Sequence, residues 1–120
     1  MTDVTSPGLD AIPAPIRDFI AGAVAENPIV VFMKGTPDEP RCGFSAVTVQ
    51  ILDHLGADFV GVDVLQNDDL RQGIKLFSDW PTIPQLYVQG EFIGGSDIVR
   101  QMYEAGELKT LLAEKGLLAG

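Results

Sequence analysis

Five consecutive apolar residues, Ile29-Val30-Val31-Phe32-Met33, constrain this 120-residue chain more than any other feature. The run is long enough for a strand, and its side chains are apolar on both faces, so the strand it predicts must be covered from both sides. The flanking sequence supplies the covers. After Pro13 and Pro15, the residues Ile16, Phe19, Ile20, Ala23 and Val24 recur at helical spacing until Asn27-Pro28. Beyond a loop with Gly35, Pro37 and Pro40, a second stripe (Phe44, Val47, Ile51, Leu52, Leu55) predicts a helix from Gly43 to Leu55, closed by Gly56.

Residues 59–64 read as a second strand. A helix capped by Asn67 or Asp68 follows and stops at Trp80-Pro81. Gln85 to Ile93 has the pattern of a hairpin turning at Gly90. The last helical region runs from Ser96 or Asp97 to about Leu118 and is broken near Gly106. The order α, β, α, β, α, β, β, α predicts an α/β fold: a four-stranded mixed sheet flanked by helices, with right-handed crossovers and an antiparallel edge. Residues 1–12 lack periodicity and read as a flexible lead-in to one domain over 13–118.

Seventeen acidic residues against eight basic ones leave a formal net charge of -9. That opposes a nucleic-acid surface, which needs clustered cations. Any anion site in such a chain must be built locally. The absence of an apolar run of about eighteen residues argues against a membrane span. A single cysteine forbids an internal disulfide, and Met1–Pro15 lacks the pattern of a signal or transit peptide. A reducing, cytoplasmic compartment is expected.

Cys42 falls between the Pro-containing loop and a helix start. Free N–H groups and the helix dipole stabilise a thiolate there, and the thiolate is both nucleophile and metal ligand. The alternative, a buried cysteine acting as a small hydrophobe, suits a position flanked by Arg41 and Gly43 poorly. Lys34 and Arg41 add positive charge, which Asp38 and Glu39 partly oppose. Ser45 stands where a Cys-x-x-Cys motif has its second thiol; either its hydroxyl is satisfied in the first helical turn or it has a chemical role. Thr82-Ile83-Pro84 precedes a strand. A cis Pro84 would turn the Ile83 backbone outward to pair with an extended peptide, whereas a trans edge proline is the commoner outcome. Ser96 and Asp97 could hold the ends of an amino acid or simply cap a helix. Arg71 reads as a surface charge unless a ligand reaches it.

Taken together, Lys34-Gly35-Thr36-Pro37, Arg41-Cys42-Gly43-Phe44-Ser45, Trp80-Pro81-Thr82-Ile83-Pro84-Gln85 and Gly94-Gly95-Ser96-Asp97-Ile98 closely resemble, in order and spacing, the monothiol glutaredoxins of the Cys-Gly-Phe-Ser class. The likeness runs from about Ile16 to Leu112. It implies a thioredoxin-like fold with a cis Pro84 and a glutathione site. In that site Lys34 and Arg71 meet the glycine carboxylate, and Ile83, between Thr82 and Pro84, pairs through its backbone with the cysteinyl part. Ser96 and Asp97 take the γ-glutamyl end, and Phe44 lies near the thiolate. Many members carry a second cysteine where this chain has Ser96, so one route to a disulfide is missing here.

A [2Fe–2S] cluster needs four ligands, and one chain offers one thiolate. His54, the lone histidine, reads as a partly exposed helix residue. The resemblance implies a cluster bridging a homodimer through Cys42 and glutathione from each subunit. It further implies cluster assembly, carriage from a scaffold and transfer to apo-proteins, with a BolA-like partner. The alternative is a glutathione-dependent thiol-disulfide oxidoreductase of weak activity, with Cys42 as nucleophile.

Overall fold

The run Ile29–Met33 forms a strand (β1) whose five residues are all buried. The fold is taken from a computed structural model, which describes residues 11–118 of the chain. β1 pairs in parallel with β2 (Val60–Asp63) and antiparallel with β3 (Gln85–Val88). β3 then pairs antiparallel with β4 (Glu91–Gly94), giving the sheet order β2-β1-β3-β4. β1 is therefore internal, as its unbroken apolarity requires.

Strand alternation divides the core in two. Ile29, Val31 and Met33 point to one face with Leu86 and Val88. That face is covered by α2 (Gly43–Leu55), α4 (Ser96–Glu104) and α5 (Glu107–Glu114), which contribute Val49, Leu52, Val99, Leu108 and Leu112. Val30, Phe32 and Tyr87 point the other way, against Ile20 and Val24 of α1 (Ala14–Glu26) and Leu70 and Ile74 of α3 (Asp68–Ser78). The expected four-stranded mixed sheet with helices on both faces is thus observed. Among the described residues, no helix is long and apolar enough to cross a membrane.

Local signals set most element ends. Gly56 takes the left-handed conformation (φ 75°) that closes α2, and Gly106 (φ 80°) separates α4 from α5. Asn67 caps α3, its side chain accepting from the Leu70 N–H at 3.1 Å. Two details differ from the sequence expectation. β2 begins at Val60 and ends at Asp63, because the Asp63 carboxylate accepts from the Leu65 N–H and the Gln66 amide and curls Val64–Gln66 into a 3₁₀ turn. Ile12, within the segment read as a lead-in, is buried on α3 beside Gly73; residues 1–10 lie outside the described residues.

Phe32 is fully buried and meets the Tyr87 ring edge-on, with centroids 5.6 Å apart. Phe32→Ala should therefore cost about 3–5 kcal/mol in urea unfolding. Val60→Ala, on an edge strand and 42% exposed, should cost under about 1 kcal/mol in the same measurement.

Candidate functional site

Because β1 and β2 are parallel, their C-terminal ends share one edge of the sheet, where Lys34 leaves β1 and Asp63 ends β2. The chain from Lys34 to Arg41 folds back on itself. The Arg41 N–H donates to the Lys34 carbonyl at 2.8 Å, and Thr36 and Glu39 exchange backbone bonds of 3.1–3.2 Å. Asp63 anchors this loop from below: one carboxylate oxygen accepts from the Gly35 and Leu65 N–H groups, each at 2.9 Å. Burial pushes the Asp63 carboxyl up, but the Gln66 amide, those two N–H groups and the Arg41 charge outweigh it and hold the group below the usual carboxylate range. A side chain at Gly61 would strike the Pro37 ring within 2.5 Å, so this glycine lets the loop lie on β2. Arg41 itself is exposed, 3.5 Å from Glu39.

Cys42 occupies the N-cap position of α2, extended in backbone and only half-buried. No side chain caps this helix by a hydrogen bond, so its first N–H groups are left free beside the sulfur. The Ser45 N–H is the chief influence lowering the thiol's pKa. Partial burial opposes it, and the Phe44 N–H, the Lys34 charge and the Ser45 hydroxyl add to it; the net shift is downward. Ser45 is fully buried, and its oxygen accepts from the Lys34 N–H at 3.1 Å, tying the first turn of α2 to the end of β1. The hydroxyl is thus satisfied in the first helical turn, the first of the two sequence readings of Ser45.

Beside this helix start lies a groove of about 180 Å³. Phe44 forms one side; Thr82, Ile83 and Pro84 form a second, and Ser96 and Asp97 a third. The Ile83–Pro84 bond is cis. The side chain of Ile83 is buried in the α1/α3 core, while Thr82 remains exposed. At α4 the N-cap is Gly95, with no side-chain cap. Ser96 and Asp97 therefore belong to the first turn and line the groove instead of capping the helix.

The fold does not gather every candidate into one pocket. Lys34, Cys42 and Arg71 do not line the groove; Cys42 lies two residues before its lining residue Phe44, and Lys34 is tied to the same helix turn through Ser45. Arg71 lies on α3, 3.9 Å from Asp68, with its Nε buried and lacking a hydrogen-bond partner. Trp80, Gly95 and Ile98 line the groove, although sequence reasoning assigned them no role. Gly95 is required by close approach: a side chain there would come within 3.0 Å of Trp80 Nε1 and 3.5 Å of Thr82 Oγ1. Trp80-Pro81 is visible in the sequence as a helix stop and as part of a motif block, neither of which assigns Trp80 a contact with the groove. His54 is exposed near the far end of α2, about 18 Å along the helix from Cys42. It meets Tyr103 edge-on at 5.8 Å. Among the described residues, no three His, Cys, Asp or Glu side chains converge as a metal site.

Since the thiol is shifted downward, Cys42 should react with iodoacetamide at a pH below the range of a free cysteine (about 8.5). Lys34→Gln removes one of the groups favouring the thiolate, so the midpoint of the rate–pH profile should move up. An unchanged midpoint would mean that Lys34 does not reach the sulfur.

A family model described as Glutaredoxin matches residues 29–93. The chain is 56% identical over 106 residues to a protein of Schizosaccharomyces pombe named monothiol glutaredoxin-5, mitochondrial, covering 86% of this chain and 73% of that one. The solution structure of reduced apo GrxS14 from poplar superposes with a TM-score of 0.77 at 46% identity, over 87% of this chain and 95% of that one. A buckwheat glutaredoxin–glutathione complex gives a TM-score of 0.77 at 26% identity, over 96% of this chain and 99% of that one. The fold is accordingly thioredoxin-like. With one thiol at the start of α2 and this degree of identity, the chain belongs to the glutaredoxin family, among its monothiol members.

Proposed function

We propose that this chain binds glutathione in the groove beside α2 and carries a [2Fe–2S] cluster as cargo, accepting it from a scaffold and passing it to apo-proteins. The observation that carries this reading is the placement of Cys42: a lone thiol, half-exposed, with its thiolate form favoured by an otherwise uncapped helix N-terminus. One such thiolate cannot complete the ligand set of a cluster, and the described residues offer no other converging ligands. Two chains and two glutathione thiolates would supply four sulfurs, so the cluster-bound form is a homodimer.

The groove and its surroundings suit glutathione in chemistry. Ser96, Asp97 and the free N–H groups at the start of α4 match the ammonium and carboxylate of the γ-glutamyl end. The cis Ile83–Pro84 segment matches the cysteinyl backbone. Lys34 and Arg71 are the cations for the glycine carboxylate, and the buried, unpartnered Nε of Arg71 is a donor in want of an acceptor. The buckwheat structure, a glutaredoxin–glutathione complex by title, supports the same choice of ligand. A reducing compartment, the cytoplasm in our reading, keeps the thiol available; the named fission-yeast relative is mitochondrial. The exposed rings of Phe44 and Trp80 border the site and suit a protein partner such as a BolA-like protein.

A second reading rests on the lowered thiol. As a nucleophile, Cys42 would attack the glutathione sulfur of a mixed disulfide and release the protein thiol. A second glutathione would then displace the first from Cys42 as glutathione disulfide. With no second thiol in the chain, the resolving step is intermolecular, with glutathione as the resolving thiol.

Anaerobic incubation with ferrous iron, sulfide and reduced glutathione should convert the wild-type protein into a coloured dimer. Cys42→Ser should stay colourless and monomeric. Equal cluster binding by Cys42→Ser would remove the carrier assignment. Rapid reduction of a glutathione mixed disulfide, matching a two-cysteine glutaredoxin, would put the enzymatic reading first.

A further inference from the structure

Gln85 is the one fully buried amide in the described core, and it stands directly behind the groove. Its Nε2 spends both protons on backbone carbonyls of a single segment, donating to Trp80 O at 3.2 Å and Thr82 O at 3.1 Å. Those residues line the groove; Gln85 does not. The segment 80–84 contains Pro81 and Pro84, neither of which has an N–H, and it lies outside the sheet ladders. Inward-facing carbonyls here therefore depend on a side-chain donor, because a buried acceptor left without one is costly.

The clearance on the other side is small. Gly95 abuts Trp80, Thr82 and the Pro84 carbonyl so closely that an added methyl group would lie 3.0–3.5 Å from all three. A shift of the segment by a few tenths of an ångström would thus change the width of the groove.

From this we infer that Gln85 is a positioning residue for glutathione: by holding the Trp80 and Thr82 carbonyls inward, it sets the groove wall that the ligand meets. The inference rests on reading the groove as the glutathione site. Without the amide, the two carbonyls would turn toward water, and water lies on the groove side. The wall would then move even though the ligand never touches residue 85.

Trp80 is the only tryptophan and lines this wall, so its fluorescence reports wall geometry and ligand occupancy together. Titration of the reduced wild-type chain with reduced glutathione, followed by Trp80 emission and calorimetry, should reveal binding; if the wild type does not bind, the reading of the groove itself fails. If it binds, Gln85→Met, which keeps the length and removes both donors, should weaken glutathione about tenfold, the scale of one buried hydrogen bond. Trp80 emission of the free variant should also shift at temperatures well below its unfolding transition. A residue that merely supported the fold would lower the transition and leave the affinity and emission of the folded protein unchanged, and that result would overturn the inference. Should Gln85→Met not fold, nitrogen-edited NMR of the wild type decides. The Gln85 side-chain NH₂ signals should exchange slowly and shift when glutathione is added; signals indifferent to glutathione would overturn the inference equally.

Discussion

Burial of β1 on both faces is the constraint on which the rest of this structure depends. A strand with apolar side chains in both directions cannot stand at an edge, so β2 and β3 must flank it and helices must cover each side. Internal placement fixes where β1 ends. At that end the chain leaves the sheet through Lys34 and returns eight residues later into the first turn of α2. The Lys34 N–H reaches the Ser45 hydroxyl, so the position of the strand is handed directly to the helix start that presents Cys42.

The chemistry of the site is local in an otherwise acidic molecule. A net charge of -9 disfavours a thiolate and anionic ligands in general, so their stabilisation has to come from short-range groups. Two helix N-termini without side-chain caps stand where such groups are needed, that of α2 beside the sulfur and that of α4 beside the groove. Asp63 is a carboxylate put to a different use. It accepts backbone N–H groups from both the loop and the turn after β2, bracing the loop that carries Lys34. The same residue type is thus a brace at one position and solvating charge at most others.

Periodicity and punctuation along the chain mark the elements where the deciding contact is local. Gly56, Gly106 and Asn67 end or begin helices through their own backbone or an adjacent hydrogen bond. They leave bounds and contacts open where the deciding contact is distant. The end of β2 depends on the Asp63 carboxylate bonding to Gly35, twenty-eight residues earlier. Ile12 is held by Gly73 and its neighbours on α3, which no window around residue 12 contains. At α4, Ser and Asp in succession resemble a cap, yet Gly95 takes that place, and the close approach of Trp80 and Thr82 explains why it is a glycine.

By itself, the sequence determined the mixed sheet with two covered faces, the family through its motif blocks, and the single thiol at a helix start. Those properties follow from side-chain type and spacing along the chain, which folding does not alter. Only the tertiary structure decided which residues surround that thiol and groove. It brought Ser45 beneath Lys34, set Gly95 against Trp80, placed the Gln85 amide on two carbonyls behind the wall, and left Arg71 outside the groove lining. The physical reason is that a hydrogen bond or close packing contact depends on separations of a few ångströms in space. Residues far apart in the chain reach such separations only after β1 has gathered both cores around itself.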